Sequence, residues 1–206
     1  MKKAIVIGVL LLTFILAGCS GEKPGDAISK ITIEPYTMNE QESLLVSKTG
    51  VGHIEYFKLN GTLGEEEDLE MSVEVYENGK FKEELLKTWG ALDKKYKDSL
   101  ISFGMSEFQG EDDSVKSLKL ISGIPSGLST TNYSTNMTAY SFGNLIGDKI
   151  TMKKNEPVYL AVWAGTTKNE LRSIGSINGE LPEGIGEYET ALLYKVVWTS
   201  KDKEQQ

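Results

Sequence analysis

Between Leu69 and Lys87 the chain leaves little freedom of choice. Leu69, Met71, Val73 and Val75 alternate with Glu70, Ser72 and Glu74, and Tyr76-Glu77 then leads into Asn78-Gly79. A period of two puts the four apolar residues on one face of a strand. Asn-Gly readily takes the two positive-φ positions of a type I′ turn, so a hairpin is expected with Lys80–Lys87 as its return strand. A two-stranded hairpin is not stable alone, so the apolar face requires a second layer. Similar short runs recur at Lys30–Glu34, Leu44–Lys48, His53–Asn60, Leu100–Phe108, Val115–Ser122, Lys149–Lys153, Val158–Ala164 and Ala191–Thr199. The 21 glycines are spread between them. This rhythm predicts an all-β fold, an antiparallel β-sandwich of immunoglobulin-like character. Val158–Trp163 and Leu192–Trp198 are the most apolar runs and are expected to be central strands. Leu85, Trp89, Leu92 and Tyr96 fall at helical spacing, with Gly90 inside; a short helical turn is expected at Leu92–Lys97.

The N-terminus obeys a different logic. Met1-Lys2-Lys3 is followed by an almost wholly apolar run from Ala4 to Ala17, then Gly18 and Cys19. A transmembrane helix needs about 20 apolar residues, and this run is shorter. A basic start, an apolar middle and small residues before a cut are the layout of a secretory signal. Leu16-Ala17-Gly18-Cys19 resembles the lipobox of bacterial lipoproteins, of the form Leu-[Ala/Ser/Thr]-[Gly/Ala]-Cys. The resemblance implies cleavage between Gly18 and Cys19 and a diacylglycerol thioether on Cys19. The protein would then sit on the extracytoplasmic face of the cell membrane, held by lipid. Residues 1–18 would be the signal helix, 19–27 a lipidated polar tether, 28–200 the sandwich and 201–206 a frayed tail. Two acyl chains suffice for stable attachment.

Cys19 is the only cysteine, so no disulfide is expected within the chain. The full chain has 22 basic and 30 acidic residues, a net charge of −8; without Lys2 and Lys3 the mature chain would stand at −10. Such a surface repels phosphate backbones, so nucleic acid is not an expected partner.

Catalytic signatures are sparse. His53 is the only histidine, and zinc sites draw on several His or Cys ligands, so no metal and no cofactor are expected. His53 is expected to be a half-exposed residue at a strand start. Gly123-Ile124-Pro125-Ser126-Gly127 has the letters of a nucleophile elbow in the wrong register and reads as a turn. Lys48-Thr49-Gly50 matches one motif of penicillin-binding proteins, but Ser-x-x-Lys spacings occur only at Ser20 and Ser200, in the tether and the tail. The acidic runs Glu65–Asp68 and Glu111–Asp113 lack calcium-loop spacing and read as solvated turns.

From Leu128 to Asn144 there is no charge at all, and Tyr133, Tyr140 and Phe142 are interleaved with hydroxyls and amides. A long inter-strand loop with one β edge is expected there. Its three aromatics form the candidate ligand surface, suited to a glycan or an extended peptide of an envelope protein. The expected function is therefore binding or scaffolding at the envelope. The alternatives are an envelope hydrolase using a carboxylate pair that no motif marks, and a transporter's solute receptor. The latter would need two α/β lobes and a longer chain.

Overall fold

The computed structural model describes residues 29–89, 94–109, 116–168, 174 and 178–200. The expected signal, Cys19, its tether and the tail lie outside the described residues. The chain folds as two antiparallel sheets packed face to face. Sheet 1 contains β1 (Lys30–Tyr36), β2 (His53–Thr62), β5 (Lys95–Gln109), β6 (Lys116–Ile124), β7 (Gly127–Thr135) and β9 (Ile150–Thr151). Its strand order is β7-β6-β5-β2-β1-β9. Sheet 2 contains β3 (Glu67–Glu77), β4 (Lys80–Trp89), β8 (Ala139–Asn144), β10 (Pro157–Thr166) and β11 (Thr190–Ser200), in the order β4-β3-β11-β10-β8.

The β3–β4 hairpin forms at Asn78-Gly79, whose φ angles are 50° and 76°. Leu69, Met71, Val73 and Val75 are wholly buried. They face Ile31, Ile33, Phe57, Leu59, Ile101, Phe103, Leu118 and Leu120 of sheet 1 in one continuous core. Phe103 stacks on Tyr194 at 5.4 Å between ring centroids, joining the two sheets at their middle. The two most apolar runs are interior strands, with β11 at the centre of sheet 2 and β10 beside it.

These two strands are apolar on both faces because both faces are covered. Outside sheet 2, Tyr159, Val162, Ala164, Ala191 and Leu193 form a second cluster with Leu145, Ile185 and Tyr188. Ile185 belongs to a 3-10 turn, Glu183–Glu187, laid over the sheet.

Three expectations need correction. Leu44–Lys48 is not a strand: Glu40–Val46 form helix α1. Asn39 caps it, accepting from the Glu42 amide at 2.9 Å while its own amide donates to the Glu42 carboxylate at 2.9 Å. This reciprocal capping box satisfies two of the amides a helix start leaves open, and Leu44 and Leu45 stay exposed. The helical turn at Leu92–Lys97 is not formed over Lys95–Lys97, which open β5; Tyr96 is buried by pairing opposite Gly61. Leu92 lies outside the described residues. Leu128–Asn144 is not a long loop. It holds most of β7 and all of β8, and Asn136–Thr138 cross from one sheet to the other.

The register sorts the molecule into two ends. Lys30 pairs with Thr62, Thr62 with Lys95 and Glu67 with Ser200. The Lys154 ammonium meets the Glu67 carboxylate at 3.0 Å, so β1 begins and β11 ends at the same end, here the entry end. At the opposite, far end are His53, Met137, Thr190 and the Asn78-Gly79 turn.

Gly61 sits at a register shift in β2 with φ +133°, and an added Cβ would lie 1.9 Å from the Lys30 carbonyl oxygen. That conformation and that contact admit only glycine. Gly61→Ala is expected to lower stability by roughly 2 kcal/mol or more, measured as the shift of the urea midpoint at constant slope.

Candidate functional site

Two of the three aromatics of the uncharged stretch meet at the far end. Tyr140 and Phe142 are two residues apart on β8, so both point between the sheets. His53 opens β2 on the facing sheet. Its Nε2 lies 3.1 Å from the Tyr140 hydroxyl, and its ring lies 5.7 Å from that of Tyr140 and 5.5 Å from that of Phe142. His53 is exposed at the start of its strand. Tyr140 stacks on Trp163 at 5.7 Å and Phe142 leans on Phe103 at 5.9 Å. Burial raises the Tyr140 pKa, and its hydrogen bond to Glu107 raises it further. A phenol held protonated in this way is a donor, not a nucleophile.

Tyr133 is elsewhere. It lies on β7 at the opposite edge of sheet 1, bonded to Thr190, and burial raises its pKa. All three aromatics are half-buried against the main core. They are lodged in packing, and the stretch's open surface is the outward row of β7: Leu128, Thr130, Asn132 and Ser134.

Two acids border His53. Glu55 faces the Asn144 amide, and burial pushes its carboxyl up. Glu107 reaches Tyr140 from β5. Pairing places His53 opposite Met105 and Glu55 opposite Phe103. The two acids are thus four residues apart along the strand direction, about 14 Å at roughly 3.4 Å per residue. Among the described residues, no three His, Cys, Asp or Glu side chains converge to hold a metal ion.

A polar cluster that sequence patterning did not reveal lies outside sheet 2. Lys195, buried in β11, donates to Glu74 at 2.6 Å and to Glu84 at 2.7 Å. Glu74 also accepts from the hydroxyls of Tyr76 at 2.9 Å and Tyr159 at 3.0 Å. Glu84 accepts from Ser72 at 2.7 Å and faces Lys87 at 3.3 Å. Lys195 is the only charge in Thr190–Ser200. A lone lysine in a strand buried on both faces must find carboxylates, and that was the available signal. Each partner is spoken for, so the cluster is a structural clamp across β4, β3, β11 and β10.

A shallow depression of about 390 Å³ lies on the outer face of sheet 1 at the entry end, lined by Lys30, Thr32, Asn60, Gly61, Thr62 and Lys149. Lys149 is paired with Glu34 at 3.0 Å.

Fold and site together define an all-β sandwich of two antiparallel sheets, with the outer face of sheet 2 covered and its clustered polar groups engaged in packing. Residues 32–197 match the model of the YgaN domain, and the chain belongs to that family. No curated protein and no solved structure matches it.

The clamp makes two outcomes measurable. Lys195→Met leaves two carboxylates without their cation and is expected to cost about 3–5 kcal/mol in chemical denaturation. Burial raises the Glu84 carboxyl, but hydrogen bonds from Lys195 and Ser72 outweigh it and bring the pKa down from 4.5 to about 2. A carboxylate lowered on folding contributes stability above its unfolded pKa and loses it as pH falls toward the folded one. Stability should therefore fall between pH 4.5 and about 2. Glu84→Gln should flatten part of that decline in a urea series across this range.

Proposed function

We propose that this protein is a lipid-anchored, extracytoplasmic member of its family, whose sandwich binds or scaffolds other components of the cell envelope. The observation that carries this reading is Leu16-Ala17-Gly18-Cys19, a lipobox at the end of an apolar run and holding the chain's only cysteine. The fold is compatible with it. β1 starts at Lys30, eleven residues after Cys19, so a tether would leave from the entry end and turn the far end away from the bilayer.

Confinement to a surface raises the effective concentration of a domain toward its neighbours, which makes modest contacts sufficient. A protein partner fits the sandwich better than a glycan. Sugar recognition needs an open aromatic face, whereas Tyr140 and Phe142 have theirs against Trp163, Phe103 and His53.

Cys19→Ala should move the protein from the membrane pellet to the soluble fraction and abolish incorporation of a labelled fatty acid. A variant that remains in the pellet, or a wild-type chain with an unmodified Cys19 by mass spectrometry, would refute the anchor.

A further inference from the structure

We propose that the free edge of β7 is a strand-addition site, and that its occupant is an extended, uncharged, Thr/Ser- and Val-rich segment of another envelope protein. A sheet edge exposes a row of unpaired amides and carbonyls, and natural proteins guard such edges with charge, proline, bulges or brevity. The other edges of this sandwich are guarded. β4 carries Lys80, Lys82, Glu83, Glu84 and Lys87 and two register shifts. β9 has two residues. β8 has six, five of them half-buried.

β7 has none of these protections. It is nine residues long, Gly127-Leu-Ser-Thr-Thr-Asn-Tyr-Ser-Thr135, without a charge or a proline. It pairs with β6 from Lys116↔Thr135 to Ile124↔Gly127 with no shift in register. Its outward side chains Thr130, Asn132 and Ser134 are exposed, and Leu128 is 66% exposed. Among the described residues, only β6 forms a ladder with it. Strand addition draws its affinity from main-chain bonds and its selectivity from alternate side chains.

The chemistry of the occupant follows from the rows it would extend. Its outward residues would lie beside Leu128, Thr130 and Asn132. Its inward residues would lie beside Ser129, Thr131 and the half-buried Tyr133, whose hydroxyl already feels the charges of Lys82, Glu77 and Glu83, so a further charge would have to be desolvated among groups of both signs. Thr and Val satisfy both rows and favour strands.

A second copy is the other conceivable occupant. Each copy carries a net charge of −8, and repulsion between like-charged bodies disfavours that pairing. The envelope source of the segment rests on the anchoring reading.

The test uses residues 20–206, which retain every described element. The probe is a capped Thr-Val-Thr-Val-Thr-Val-Thr-Val-Thr peptide with one Lys at each end, read by amide hydrogen exchange. At saturation, amides within Gly127–Thr135 should gain at least tenfold protection. A peptide with Pro at its centre should give none, and Thr130→Lys/Asn132→Lys, at two exposed positions and with the fold checked by circular dichroism, should abolish the gain. Absence of protection in β7, protection centred elsewhere, or equal protection by the Pro peptide would overturn the proposal. So would a dimer through β7 in sedimentation of the protein alone. The anchor is read separately by fractionation of the Cys19 variant, so either idea can fail without the other.

Discussion

The structure depends on sheet 2 being covered twice. Its inner face meets sheet 1 through Leu69, Met71, Val73, Leu192 and Tyr194, and its outer face meets Leu145, Ile185 and Tyr188. A strand buried on both sides cannot alternate apolar with charged residues, which is why β10 and β11 read as nearly continuous apolar runs. The same constraint explains the Lys195 clamp. On an open face, Lys195 would extend into water and Glu74 and Glu84 would be solvated. Under the cover, ammonium and carboxylates must complete one another's bonds, and the phenols of Tyr76 and Tyr159 fill what remains on Glu74. Such a cluster adds little over an apolar replacement but penalises any pairing that separates its members. It therefore specifies the β4-β3-β11-β10 order as well as tolerating it.

Most of the fold was legible because the signals were local. The Leu69–Val75 alternation and Asn78-Gly79 specify a hairpin without reference to anything else. The apolar density of Val158–Trp163 and Leu192–Trp198 pointed to the sheet interior, and that is where β10 and β11 lie. Where the reading failed, a local signal was ambiguous or of the wrong kind. Leu44, Leu45 and Val46 look like a strand by composition, but Asn39 and Glu42 close a capping box upstream that starts a helix. At Lys95–Lys97 helical spacing lost to pairing with β2. In Leu128–Asn144 hydroxyls occupy both faces, so the period of two is invisible to a polarity count even though β7 and β8 are regular strands.

The candidate site was less legible than the fold. Tyr140 and Phe142 share a face by simple alternation, but their meeting with His53 requires β2 and β8 to face each other across the sandwich, which only tertiary structure supplies. Tyr133, only seven residues before Tyr140, ends on the other sheet because the chain crosses at Asn136–Thr138. The Lys195 clamp joins residues 121 positions apart. No spacing rule could find it, although one charge in an otherwise apolar strand marks half of it.

The lack of guards on β7 has a counterpart in the charge of the whole molecule. Aggregation through a bare edge requires two copies to approach, and each carries a net charge of −8, or −10 without the leader's two lysines. Repulsion between like bodies acts over about 8–10 Å at physiological salt, far enough to oppose an encounter of two sandwiches. It acts only weakly on a neutral, extended segment, which brings no charged body close to the edge. The uncharged strand and the acidic surface thus form one selective arrangement: the strand supplies unpaired backbone groups, and the surface charge disfavours filling them with another copy of the same chain. Local edge guards would have excluded both kinds of partner; long-range charge excludes one.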